Sequence, residues 1–515
     1  MSQSRPSDRH VPRFALIALV VITVVGVGIR LVQASESLWV DELHTAWCAS
    51  GDLGEVARRA TAGNQSPLFF WGEWLLFRLG HNELMLRLPS LVAGSLLPLA
   101  VFAAAQRLTR SAWLGVFAAW LIIVDSFSIF YATEARPYAL VQLLAVLHVL
   151  LFLKVLERPS ALLRVAFVLG AALMFHLHYT AILLVFAEMI FWAYQVLLRR
   201  EAVYGFLPAL TDAMIILLLC LPALPNVVEV AGRRENWELF VPQEPAWMIF
   251  AMFPLSGAAP YVFAHILTPK RSDEWVDHGR PSFSPLVLCW FLVPLCIAWL
   301  LTATDIARLF FPRYLTFAAP AAFVLTANCV QLAPAKWFQV FLAVSIAVVS
   351  SWSSGIAYHL RHDGRAITDR QEDWRSAIAY LNQQLQDDGQ LVLVRSGLIE
   401  DQALREPHSA ALRAYCLFPV TSLYPIQCLP SDLIPLPSTN SGRLSEETKS
   451  RIRKSGSAWI ILRAPEQISL AIERQLLNEL NAKSNSISTD ADWQVTAGKS
   501  FGKVHVRQIR RSPDE

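Results

Sequence analysis

Asp41 and Glu42 are the first residues in the chain whose type and placing could do chemistry. They lie in residues 37–47 (SLWVDELHTAW), directly after an apolar run over 14–32. Two adjacent carboxylates therefore stand where a chain has just left a bilayer, and ionised groups at that depth are costly. A carboxylate so placed can take the proton of an attacking hydroxyl. Trp39 and Trp47 flank the pair, as expected of rings resting at headgroup level. The plainer reading is a solvated loop acid beside a membrane anchor. Further residues of the same kind recur at the ends of later apolar runs: Glu134, Arg136 and Tyr138, then His176 and His178, then Arg308, Arg313 and Tyr314. An arginine can grip a phosphate through two parallel hydrogen bonds. Taken singly, such an arginine snorkels and such a histidine caps a helix.

The elements that must position these groups follow from composition. The chain has 515 residues, 54% hydrophobic and only 17% charged. Apolar runs of about 20 residues recur along its first two thirds, which predicts a polytopic helical membrane protein. The formal net charge of +3 is too small to imply nucleic acid as a partner. The basic, polar N-terminus lacks a small-residue cleavage site after its apolar run, so the first helix is expected to stay uncleaved.

Basic loops on the cytoplasmic side predict spans over 14–32, 88–105, 113–131, 139–153, 163–175, 180–198, 206–224, 247–267, 286–301, 315–330 and 338–356, about eleven in all. Residues 52–62 and 67–79 read as short helices lying along the interface, and 226–245 as a long polar loop. This threading puts the N-terminus in the cytoplasm and every candidate residue above on the opposite face. Carboxylates and arginines gathered there suggest a polar cavity that takes an anionic substrate beside a base.

The expected division is a membrane domain over 1–360 and a tail domain over 361–515. The tail is charged and proline-bearing, with helical patterns at 374–385 and 467–480 and strand patterns at 391–395, 458–462 and 503–507. That alternation predicts a small α/β domain outside the cytoplasm. Cys416 and Cys428 are the only cysteines within it. An oxidising compartment predicts a disulfide between them, contributing about 2–3 kcal/mol if unstrained. Four of the other cysteines, Cys220, Cys289, Cys296 and Cys329, fall in apolar runs and read as packing residues.

Set in order, these stretches resemble a family. Trp39-Val40-Asp41-Glu42 after the first span is similar to the first-loop acidic motif of the multispanning C-type glycosyltransferases, nearest to the protein O-mannosyltransferase and aminoarabinose (lipid A) transferase branch. Residues 65–71 (QSPLFFW) look like its proline-leucine-aromatic stretch, with Ser66 where many relatives have a first proline and no acid or histidine before it. Residues 87–91 (RLPSL), 131–138 (YATEARPY), Arg313-Tyr314 and 372–375 (EDWR) are similar to stretches of bacterial members.

The resemblance implies a sugar transferase that uses a polyprenyl-phosphate sugar. The residues agree, since the tail has no glycine-rich phosphate loop. In the expected mechanism Asp41 is the general base in a single displacement, and Glu42 orients it or the acceptor or binds a metal. Arg313 and Arg136, with Tyr314, meet the departing phosphate. Glu134, Tyr138 and His178 are candidate substrate-binding residues; Glu134 could equally serve a metal or Arg136. No cofactor is assigned. A divalent metal stays open, with Glu42, His176 and His178 as candidate ligands.

Expected partners are the lipid-linked donor, membrane lipids and a lipid, glycan or protein acceptor. The expected location is a bacterial inner membrane with the tail domain periplasmic. The competing readings are a lipid-linked sugar transporter and a non-catalytic membrane scaffold.

Overall fold

A computed structural model describes residues 11–199, 203–232, 241–253, 284–368, 370–385, 390–398, 410–436, 444–482 and 492–512. The chain forms two compact units, neither contiguous in sequence. The first comprises Met1–Ala34, Leu53–Gly72 and Arg87–Ile367; the second comprises Ser35–Asp52, Glu73–Leu86 and Thr368–Glu515.

The helices that build the first unit are α1 (Arg13–Gln33), α3 (Leu53–Ala62), the start of α4 (Pro67–Phe77) and most of α5 (Glu83–Thr109). They continue as α6 (Ala112–Val124), α7 (Ser126–Ala132), α8 (Tyr138–Glu157), α9 (Ala161–Leu177), α10 (Ile182–Tyr194), α11 (Phe206–Cys220) and α12 (Leu224–Gly232). The last are α13 (Ser284–Ala303), α14 (Ala319–Gln331), α15 (Lys336–Ser353) and α16 (Ile356–His362). Between Cys220 and Leu224 the chain stays helical, so residues 226–232, expected in a loop, extend the preceding span.

Among the described residues, eight helices are long and apolar enough to cross a membrane, or nine if α6 and α7 count as one bent span. The protein is therefore a multi-pass membrane protein. Two of the expected eleven spans stand outside that count of nine. Helix α9, at 17 residues, is shorter than a comfortable span. Most of the expected span 247–267 lies outside the described residues.

The bend between α6 and α7 is 67° and sits at Asp125, whose Oδ2 accepts the Ser128 N–H at 2.8 Å. A carboxylate that serves an exposed turn of backbone N–H groups starts a new helix direction. The core beneath it joins Leu19 and Ile22 of α1 to Phe102, Ala119 and Ile123, and to Ile356 and Ile367. The outer faces of α1 and α15 remain apolar and exposed, through Phe14, Ile17 and Val20 on the former and Val340, Phe341 and Val344 on the latter, as lipid-facing helices require.

The second unit contains α2 (Val40–Ser50), α17 (Trp374–Gln384), β1 (Leu391–Arg395), α18 (Ala410–Thr421), β2 (Leu433–Pro435), α19 (Glu446–Ser455), β3 (Ser457–Arg463), α20 (Glu466–Asn481), β4 (Trp493–Phe501) and β5 (Val504–Arg511). Its sheet runs β2-β1-β3-β5-β4. Strand β1 pairs in parallel with both β2 and β3, while β5 is antiparallel to β3 and β4. Leu391, Leu393, Ile460, Leu462 and Ile509 of the strands close on Leu476 and Leu480 of α20 in the core. The three expected strands and two expected helices are present; β2, β4, α18 and α19 are additional.

The expected Cys416–Cys428 disulfide is not formed. Cys416 is buried inside α18 with its thiol 3.8 Å from the Leu398 carbonyl, so it points into the domain. Cys428 lies beyond the end of that helix, where burial first and the Asp432 charge second push its thiol up to about 11. A thiol that stays protonated is a poor nucleophile toward disulfide formation.

Candidate active site

In the second unit, the two acids stand in the first turn of α2 rather than in a loop. Aspartate and glutamate suit that position, because the first N–H groups of a helix lack intrahelical partners and carry partial positive charge. Glu42 Oε2 reaches back to the Trp39 N–H at 3.4 Å and is fully buried. The Val40 N–H donates to Glu372 Oε2 at 3.0 Å, and the Leu38 N–H donates to the Tyr424 hydroxyl at 2.9 Å. One turn on, His44 Nδ1 lies 2.8 Å from the Tyr415 hydroxyl, and Trp47 stacks on the Tyr415 ring at 4.0 Å. Trp47 is thus buried within the unit.

Glu73, in the part of α4 that belongs to this unit, is also fully buried. Neither of its carboxylate oxygens has a hydrogen-bond partner among the described residues. Burial first and the nearby Glu42 second hold its carboxyl well above the usual carboxylate range. An acid in such a place is kept neutral by the cost of stripping water from its charge.

The first unit gathers a different set. Tyr138, at the start of α8, packs its ring 4.8 Å from Tyr131 and 5.6 Å from His178. His178 follows α9, and its ring centre is 6.3 Å from that of Tyr314. The Arg313 guanidinium lies 5.4 Å over Tyr314 and 5.3 Å over Phe311, within cation–π range. Four residues expected at the site are thereby brought together: Tyr138, His178, Arg313 and Tyr314.

His178 has a defined protonation pattern. The Thr180 hydroxyl donates to the Tyr314 carbonyl, so its oxygen accepts from His178 Nδ1 at 2.8 Å. The imidazole then carries its proton on Nδ1 and offers Nε2 as an acceptor. Burial first and the Arg313 charge second push this group down to about 4, which keeps it neutral. A neutral acceptor nitrogen beside a guanidinium suits a ligand that brings both a hydroxyl and an anion.

Arg136 and Glu134 are both buried in the turn between α7 and α8. The Arg136 carbonyl accepts from Ser90 Oγ at 2.8 Å, and its guanidinium lies 6.0 Å from the Phe70 ring centre. The Arg87 guanidinium donates to the carbonyls of Gln33 and Ala34, at 3.3 and 3.1 Å, and so fixes the end of α1. His176 is directed elsewhere: its Nε2 donates to the Leu219 carbonyl at 2.9 Å, and its own carbonyl accepts from Ser66 Oγ. Arg308 pairs with Asp305 at 3.1 Å in a loop.

The metal reading finds no ligand set. Among the described residues, no three His, Cys, Asp or Glu side chains come together as a metal site would need. His176 Nε2 is engaged by a carbonyl, which leaves Nδ1 as that histidine's one possible ligand atom.

Sequence reasoning missed several polar groups. His148 of α8 is buried with Nδ1 3.0 Å from Glu188 Oε1 and Nε2 3.0 Å from the Phe167 carbonyl. Arg164 grips Asp212 through two hydrogen bonds of 2.8 and 2.7 Å, and the Tyr204 hydroxyl donates to the same carboxylate. Both acids sit in apolar runs, which was the available signal. Glu372 and Tyr424 carried no local signal toward α2, because their partners are distant in sequence.

Comparison with known proteins places this geometry. Residues 64–225 match the family model described as dolichyl-phosphate-mannose-protein mannosyltransferase. No curated protein matches the chain. Among solved structures, ArnT from Cupriavidus metallidurans in the apo state is similar at a TM-score of 0.53 and 14% identity, covering 96% of this chain and 97% of that one. The same ArnT bound to undecaprenyl phosphate gives a TM-score of 0.47 at 14% identity, with the same coverage of 96% and 97%. The arabinosyltransferase EmbB from Mycobacterium smegmatis gives 0.42 at 12% identity, covering 71% of this chain and 39% of that one. The first of these shows that the chain has the ArnT fold.

Proposed function

We propose that this chain, whose residues 64–225 match the dolichyl-phosphate-mannose-protein mannosyltransferase family model, moves a sugar from a polyprenyl-phosphate donor to a hydroxyl of a cell-envelope acceptor. The reaction takes place on the extracytoplasmic face of a bacterial inner membrane. The observation that carries this reading is the grouping of Arg313, Tyr314, Tyr138 and a neutral His178 in the first unit.

Asp41 accepts the proton of the acceptor hydroxyl, whose oxygen attacks the anomeric carbon. The bond from that carbon to the phosphate oxygen breaks, and its electron pair goes to the lipid phosphate. Arg313 and Arg136 supply the positive charge that this leaving group requires, and a guanidinium does so without changing its own protonation. His178 Nε2 accepts a hydroxyl of the sugar. Tyr138 and Tyr314 provide ring surface for it, and Glu134 a further acceptor. Glu42, anchored on the Trp39 N–H, holds the first turn of α2 and orients Asp41.

The test uses the purified full chain with a radiolabelled polyprenyl-phosphate sugar and a cell-envelope extract as acceptor. Acceptor-dependent release of free polyprenyl phosphate, with label moving to the acceptor, is expected. Label that crosses a vesicle membrane while still on its lipid would replace this reading with transport.

A further inference from the structure

The first turn of α2 has an unusual start. Its N-cap residue is Trp39, whose indole N–H is a donor and cannot accept from the helix's first N–H groups. Serine, threonine, aspartate or asparagine would ordinarily supply an acceptor there. The Val40 N–H has its acceptor in Glu372, 332 residues away in sequence, at 3.0 Å. Val40 is the residue before Asp41.

Glu372 is itself held from two directions. Its Oε1 accepts from Arg463 Nε at 2.8 Å and Nη2 at 2.6 Å, and its side chain is 1% exposed. Its backbone bridges to Gly502 in the β4–β5 turn, where φ is +65° and an added Cβ would lie 2.3 Å from the Gln371 carbonyl oxygen. Arg463 ends β3, and Gly397 just beyond β1 leaves room for it. A Cβ at Gly397, where φ is +77°, would lie 2.9 Å from Arg463 Nη1. Strands β1 and β3 are parallel neighbours, and the chain leaves β1 toward β2 on one side before returning to β3 on the other. The carboxyl ends of such a pair are where open α/β sheets usually receive a ligand. Here Arg463 meets Glu372 there, and Glu372 in turn holds α2.

We propose that Glu372, fixed by Arg463 at the carboxyl end of β3, is a positioning residue for Asp41 that sets the first turn of α2 through the Val40 N–H. This rests on the reading of Asp41 as general base. A charge-assisted hydrogen bond to a helix N-terminus is directional and strong. Displacement of a base by about 1 Å can cost about 100-fold in rate. Donor recognition draws on Arg313, Arg136 and His178, so loss of Glu372 is a defect of turnover and not of donor affinity.

The experiment compares Asp41→Asn, Glu372→Gln, Glu372→Ala and the exchange Glu372→Arg with Arg463→Glu in the full-length protein. Each is measured for kcat, donor KM and apparent unfolding temperature. Glu372→Gln is expected to lower kcat about tenfold and Glu372→Ala about 100-fold, with donor KM within twofold of the starting protein. The exchange restores an ion pair but turns a guanidinium toward the Val40 N–H. It is expected to recover unfolding temperature without recovering kcat.

Recovery of kcat in step with unfolding temperature would reduce Glu372 to a structural residue and overturn the proposal. So would an unchanged kcat in Glu372→Ala while Asp41→Asn is inactive, which leaves the base reading standing. Full activity in Asp41→Asn would instead remove the base reading, and the positioning role with it.

Discussion

The two units hold different chemistry. The first brings the Arg313 guanidinium together with the rings of His178, Tyr138 and Tyr314. The second holds the acids Asp41, Glu42, Glu73 and Glu372, and the segment before Asp41 is tied by bonds between residues more than 300 positions apart. A phosphate needs positive charge that stays put; a base needs a carboxylate whose surroundings are themselves ordered. In the proposed reading, donor recognition draws on the first set and acceptor activation on the second.

That division can be broken most sharply at Asp41. Asp41→Asn keeps size and polarity but cannot take up a proton. It is expected to lose about 100-fold or more in turnover while binding the donor normally in an equilibrium assay with labelled lipid. Turnover within a few-fold of the starting protein would take acceptor activation away from the second unit.

The first unit is tested at Arg313. Removing a charge-assisted phosphate contact costs about 1.5–3 kcal/mol, so Arg313→Ala is expected to weaken donor binding on the order of tenfold to 100-fold. Arg313→Lys keeps the charge but not the fork, and should fall between. Equal affinity in all three proteins would make Arg313 an interfacial anchor.

The smallest effect is the most diagnostic, because its sign differs between the units. His178 is pushed down to about 4, below its ordinary value, so the folded chain keeps it neutral while the unfolded chain protonates. Stability from this group is lost as pH falls from about 6.5 toward about 4. Glu73 is raised above its ordinary value. Its contribution is present below about 4.5 and is lost as pH rises through its folded value. His178→Gln should therefore flatten the acid side of an unfolding-temperature profile. Glu73→Gln should raise unfolding temperature by a few degrees near pH 8. Parallel changes in both variants would erase the contrast.

The same contrast governs what the sequence could show. The spans were legible because a long apolar run is sufficient evidence of itself, and so were β1 and β3, whose buried residues run continuously. Residues 226–232 were misread because Pro225 and Asn226 look like breakers, although a proline in a helix's first turn continues it. The grouping of Tyr138, His178 and Arg313 was anticipated by their shared position at span ends. The helical start at Val40 was not, since Trp39 gives no capping signal and Glu372 supplies the acceptor from far along the chain. The cysteine pairing failed for a related reason: spacing says nothing about direction, and Cys416 faces into its domain.

The dependence of α2 on Glu372, Tyr415, Tyr424 and Arg463 has a consequence in time. A ribosome releases Asp41 early and reaches Arg463 only near the end, an interval on the order of tens of seconds. Through that interval the spans can enter the bilayer, each satisfying its own backbone. An isolated helix of 11 residues cannot persist in water over the same period. The acidic turn is therefore the last part of the nascent protein to acquire its shape, although it is among the first to be made. A chain stalled before Glu372 would be threaded through the membrane and able to meet lipid, yet would have no ordered Asp41 to act with.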